Sequence, residues 1–82
     1  MDSTSRQVIL DQINAIVSDV LRLPDLCMDE ATTANDVPGW DSLTHIQIII
    51  EIERKYGVRF TSTEVAQLED AGSLIELVIK HS

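Results

Sequence analysis

Asp41-Ser42-Leu43-Thr44-His45-Ile46-Gln47-Ile48-Ile49-Ile50-Glu51-Ile52-Glu53-Arg54-Lys55-Tyr56-Gly57 is the stretch that decides the fold. Asp41 is a good helix N-cap and Gly57 a C-terminal stop, so the pattern predicts a helix over Ser42–Tyr56. On a wheel of about 100° per residue, Ile46, Ile49, Ile52 and Tyr56 fall within an arc of roughly 120°, the width of an ordinary core stripe. Leu43 and Ile50 lie past one edge of that arc, beside Gln47 and Arg54, and Ile48 lies past the other. The helix is therefore more apolar than one-sided packing requires. Either a neighbouring loop covers the surplus, or Leu43 and Ile50 form an exposed apolar spot for partners.

Working outward, a first helix is predicted over about Ser5–Leu21, where Ile9, Ile13, Ile16 and Val20 recur at helical spacing with Val17 and Leu21 beside them. Asp11, Gln12, Asn14, Ser18 and Asp19 fall mostly on its other face. Thr4 with Gln7 offers a capping box, with Ser3 and Ser5 as rival caps. Leu23-Pro24 ends this helix, because the residue before proline is pushed out of the helical region. A long connection follows to Trp40, with Leu26, Met28 and Val37 as its anchors and Pro38-Gly39 as a turn. After Gly57, a short helix is predicted over Ser62–Leu68 with Thr61 and Glu64 as a capping box. The last helix covers about Ala71–Lys80, capped by Asp70, with Leu74, Leu77 and Val78 on its apolar side. No strand pair is evident. The expected fold is all-α: one domain over residues 1–82, a small four-helix bundle of three longer helices and one short one, with a long loop between the first two.

Composition narrows the function. A chain of 82 residues buries only a little over ~60% of its unfolded surface, enough for one small core and not for a deep catalytic cleft. Trp40, Tyr56 and Phe60 are its only aromatics, so the core is aliphatic. A formal net charge of −8 repels phosphate backbones and argues against nucleic acid, while attracting basic patches on other proteins. Cys27 is the only cysteine, so it has no internal disulfide partner and no companion for a metal site; it reads as a small loop hydrophobe in a reducing, cytoplasmic setting. The N-terminus lacks the pattern of a signal peptide, and Ile48–Ile50 is too short to span a bilayer.

Gly39-Trp40-Asp41-Ser42-Leu43 resembles the acyl carrier protein family, known for Asp-Ser-Leu at the start of its second helix behind a long first loop. The resemblance extends through Ile52-Glu53-Arg54-Lys55-Tyr56-Gly57-Val58-Arg59-Phe60 and Asp70-Ala71-Gly72-Ser73-Leu74-Ile75-Glu76-Leu77-Val78, and so covers essentially the whole chain. It implies that Ser42 receives 4′-phosphopantetheine from coenzyme A through a Mg²⁺-dependent phosphopantetheinyl transferase, within the Asp41-Ser42-Leu43 motif. Asp41 then caps the helix and helps hold the transferase's metal. The chain becomes a free-standing, monomeric carrier of acyl thioesters with no catalytic group of its own. Its partners are the transferase and acyl-loading and acyl-transfer enzymes with basic docking patches. The partner face is expected at Leu43, Gln47, Ile50 and Arg54. Carriers of fatty acid synthesis typically have a strongly acidic second helix. Thr44, Gln47 and Arg54 stand here where that subgroup usually has acids, while Glu51 and Glu53 remain, pointing to a specialised lipid, polyketide or surface-polysaccharide pathway.

Three alternatives weigh against this reading. A peptidyl carrier more often has Gly-Gly before its serine region, whereas Gly39 is followed by Trp40 and Asp41. A serine hydrolase needs an oriented base, an oxyanion hole and a cleft; this chain has two histidines, of which His45 reads as a surface or edge residue and His81 as part of a frayed end, and no nucleophile elbow. An unmodified helical interaction module shares the apolar edge and differs only in whether Ser42 accepts the arm.

Overall fold

The structure, a computed structural model, describes residues 3–81, with side chains from Arg6 onward. Its order is α1 (Ser3–Leu21), a 3-10 turn (Ala34–Asp36), α2 (Ser42–Tyr56), α3 (Ser62–Ala66) and α4 (Ala71–His81), with no strand among the described residues. The Thr4–Gln7 box and the rival caps Ser3 and Ser5 lie outside the described side chains. α3 stops two residues short of the predicted Leu68. The Gln67 N–H reaches back to the Glu64 and Thr63 carbonyls and closes the helix there.

α1 packs against both α2 and α4. Its nineteen residues at about 1.5 Å each span most of the molecule's 30 Å long axis. Its most deeply buried side chains are Leu10, Ile13 and Val17, with Ile9, Ile16 and Val20 at the edges, so the stripe is rotated by part of a turn from the predicted one. Ile13, Val17, Ile48, Ile52, Ile75 and Val78 are fully buried, and each contributes roughly 1.5–3 kcal/mol by leaving water. The α1 helix ends with Arg22 in the left-handed region at φ 57°. The Leu23 N–H bonds the Ser18 carbonyl at 2.9 Å and the Arg22 N–H bonds the Asp19 carbonyl, the pairing that satisfies terminal carbonyls. Gly57, at φ 65°, ends α2 in the same conformation.

Side chains assigned to α1's solvent face tie down the long loop. Asn14 donates to the Leu26 carbonyl (2.9 Å) and accepts from the Met28 N–H (2.8 Å), and the Ser18 hydroxyl donates to the Leu23 carbonyl. Met28 and Val37 are buried and Leu26 packs beside them, so all three predicted anchors hold. Cys27, between two anchors, is exposed and is not a loop hydrophobe. The loop also caps α4: the Glu30 and Thr32 carbonyls accept from the Gly72 and Ala71 N–H groups at 2.9 Å, and Asp70 accepts from the Ser73 N–H. A Cβ at Gly72 would sit 3.1 Å from the Glu30 carbonyl oxygen, so glycine is what permits this approach.

α3 is held from its far side. The Thr61 N–H donates to Glu64, completing the predicted capping box, and the Lys80 Nζ (3.1 Å) and His81 Nε2 (2.9 Å) of α4 reach the same carboxylate. The His81 ring also lies 5.5 Å from that of Phe60, so this end of α4 is anchored and not frayed. The backbone N–H of Thr61, then His81 and Lys80, pull the Glu64 carboxyl down to about 2.

Candidate functional site

The start of α2 is built by its own sequence. Gly39 takes φ 85° and turns the chain, and Asp41 follows in extended backbone as N-cap. The Asp41 carboxylate accepts from the Thr44 N–H at 3.0 Å, while the Asp41 N–H donates to the Thr44 hydroxyl at 2.8 Å. That hydroxyl lies 2.9 Å from the Gly39 carbonyl and 3.2 Å from the Asp41 carboxylate. The reciprocal pair is a capping box with Thr in place of the usual Glu or Gln. The N–H of Thr44 above all, then its hydroxyl and the Leu43 N–H, hold the Asp41 carboxyl below its ordinary range. Asp41 is therefore an anion at neutral pH, fixed in orientation.

Ser42 is the first residue of α2 and is exposed. Its hydroxyl makes no hydrogen bond to any described residue, so it is free to react. An open cleft beside it is lined by Ala34, Trp40, Asp41, His45 and Ile46. Trp40 covers the loop–helix junction as simple packing predicts, and its indole N–H also donates to the His45 Nδ1 at 3.1 Å. The two rings stack with centroids 6.1 Å apart. His45 is thus half-buried and partnered, a role that no periodic pattern announces.

Along α2, Leu43, Gln47, Ile50 and Arg54 all fall on one exposed face, and Arg54 lies 3.7 Å from Glu51. Two assignments change. Ile46, placed in the core by the wheel, is 55% exposed and joins Leu43 (67%) and Ile50 (44%). Ile48, placed past the core's edge, is fully buried with Ile52, and Ile49 lies beside them. The buried arc is centred on Ile48, Ile49 and Ile52 because α1 packs against α2 from that side. On the exposed side, Ile46, Ile49 and Ile50 border an open groove whose far wall is Phe60, Val65 and Leu68. The Phe60 N–H donates to Glu53 at 2.8 Å and fixes the connection between those walls.

A serine at the exposed start of a capped helix, beside a fixed carboxylate and an open cleft, is the arrangement of a modification site carried on a helical bundle. The pattern described as "Phosphopantetheine attachment site" matches residues 11–78, and the chain belongs to that family, the family of the acyl carrier proteins. It is 30% identical over 71 residues to the acyl carrier protein of Thermosynechococcus vestitus, covering 85% of this chain and 86% of that one. The solution structure of holo acyl carrier protein from Geobacter metallireducens superposes with a TM-score of 0.82 at 33% identity, covering 88% of this chain and 83% of that one. A 69-residue match at 29% identity to the non-reducing polyketide synthase ausA of Penicillium brasilianum covers 84% of this chain but only 3% of the synthase.

The chain is accordingly an acyl carrier, and its cofactor is covalently attached 4′-phosphopantetheine. The residues at the start of α2 fit that group: an exposed, uncommitted hydroxyl in the first turn and space along the cleft beside it. Among the described residues, no cluster of three or more metal-ligating side chains occurs, and no helix is long and apolar enough to cross a membrane.

Proposed function

We propose that Ser42 is the residue that bears the arm. The observation that carries this is its position: an exposed hydroxyl in the first turn of α2, in Asp41-Ser42-Leu43, with its neighbours locked by the Asp41–Thr44 box. Attachment forms a bond from the Ser42 oxygen to phosphorus and breaks the pyrophosphate bond of coenzyme A, releasing the adenosine bisphosphate half. The serine proton passes to a base or water on the transferase. Asp41, ionised and oriented, is placed to help hold the transferase's Mg²⁺. When bound, the arm supplies a terminal thiol that holds the acyl group as a thioester and raises its effective concentration at a docked enzyme.

The exposed face of Leu43, Ile46, Gln47, Ile50 and Arg54 is the proposed partner surface, with the surrounding net charge of −8 steering basic patches toward it. Its apolar stripe carries Gln47 and Arg54 between the flanking Glu51 and Glu53, and this mixed charge supports a specialised pathway. Likeness to a stretch of a non-reducing polyketide synthase favours polyketide cargo among the options. The exposed, lone Cys27 thiol suits the cytoplasm.

Incubation with coenzyme A and a broad-specificity phosphopantetheinyl transferase tests the assignment by intact mass. The protein gains one phosphopantetheine, and Ser42→Ala gains none. Two additions, or any addition to the Ser42→Ala variant, would sink it.

A further inference from the structure

The Trp40–His45 pair has a chemical consequence. An indole N–H can only donate, so the His45 Nδ1 accepts and the neutral ring carries its proton on Nε2. No described residue hydrogen-bonds that Nε2–H. Yet the half-buried ring has no polar atom sealed away without a partner, so the Nε2–H reaches solvent. His45 stands three residues after Ser42, one helical turn away and on the same side. Both line the cleft whose other walls are Trp40, Ala34, Ile46 and Asp41, the last with its carboxylate engaged by the Thr44 N–H. A single side-chain donor of fixed tautomer is therefore set beside Trp40, Ala34 and Ile46, within one turn of the attachment oxygen.

The phosphopantetheine arm has matching chemistry along its first atoms. The phosphodiester oxygens come first and accept hydrogen bonds, and a carbon bearing two methyl groups follows. We propose that this cleft is a docking site for the proximal arm. The His45 Nε2–H donates to a phosphodiester oxygen, and the dimethyl carbon rests on Trp40 and Ile46. The inference rests on Ser42 being the attachment residue. A charged acceptor makes this hydrogen bond stronger than a neutral one. The docked arm leaves the domain from a defined direction and does not sweep freely. His45 acts here as a positioning residue for the arm and takes no part in bond making.

Trp40 is the chain's only tryptophan, so its fluorescence reads this cleft alone. The experiment compares acrylamide quenching of apo and fully modified protein, with intact mass confirming one addition to each sample. A tethered group at millimolar effective concentration, held by a contact of similar strength, covers the indole about half the time, so the quenching constant falls by about twofold. His45→Phe keeps a ring on Trp40 but removes the donor, and its modified form loses that protection. His45→Gln, which retains an N–H donor, keeps part of it. Equal quenching of apo and modified wild-type protein overturns the docking site, and this comparison needs no substitution. Full protection in modified His45→Phe overturns the role of His45. A mass that does not rise overturns the Ser42 assignment itself, a failure read before any fluorescence is recorded.

Discussion

Ile46 and Ile48 are two residues apart on α2 and chemically identical, yet Ile48 is fully buried and Ile46 is more than half exposed. The two sides of α2 differ in the same way. Ile48, Ile49 and Ile52 lie on the side packed by α1 and belong to the core, while Leu43, Ile46 and Ile50 face outward, with Ile46 and Ile50 bordering a groove. Both sides are apolar, so hydrophobicity does not separate them. What separates them is whether another helix arrives. The outward stripe is therefore not required by the fold, and a carrier that must dock on successive enzymes has a use for such a surface.

The largest effect is expected on the inward side. Ile52→Ala or Ile48→Ala removes atoms from a filled core and costs roughly 2–5 kcal/mol. A domain of this size has about 4–12 kcal/mol in total. Urea unfolding measures the loss, and a change near zero would mean that the inward side is not the core.

A second test concerns α3, whose Val65 and neighbouring Leu68 wall the groove beside the outward stripe. Glu64, bound by the Thr61 N–H, His81 and Lys80, holds it. Its carboxyl drops from 4.5 in the unfolded chain to about 2 in the folded one. The resulting stabilisation is fully present above about pH 4.5 and is lost as pH falls toward about 2. Melting temperature followed from pH 6 to pH 2 should fall, and Glu64→Gln should flatten the profile in that window. Asp41 and Glu30, also held low by their hydrogen-bond partners, leave a residual slope. An unchanged slope in Glu64→Gln would show that α3 is held by its apolar contacts alone.

The smallest effect on stability is expected on the outward side. Leu43→Ala, Ile46→Ala and Ile50→Ala should each shift unfolding by within about 0.5 kcal/mol, as exposed residues do. All three should still slow loading by the transferase, measured as the rate of mass gain. If any of them unfolds the domain, that residue is core and the contrast between the two sides collapses.

Much of this was legible in the sequence, where the relevant interaction is local. The bounds of α2 follow from Asp41 and Gly57, the α3 cap from Thr61 and Glu64, and the loop anchors from Leu26, Met28 and Val37 as large apolar side chains in a long connection. Ser42 stood out through its motif and its place at a helix start. Thr44 as the capping partner of Asp41 went unread, because threonine is a less usual partner than glutamate at that spacing.

Three features were decided only by the tertiary structure. A helical wheel gives the angles between side chains but no origin, so it could not place the centre of the buried arc on α1 or α2; Leu10 and Ile48 moved in and Ile46 moved out once neighbouring helices occupied particular sides. Asn14, polar and apparently solvent-facing, became the splint of the long loop because that loop returns across α1. The pairs Trp40–His45 and Glu64–His81 join a loop to a helix and one helix to another, and no spacing rule covers such contacts. Capping and turn formation involve residues within a few positions of one another, so the sequence by itself determined them. The choice of which apolar side is covered depends on the summed approach of distant segments, and only the folded chain supplies it.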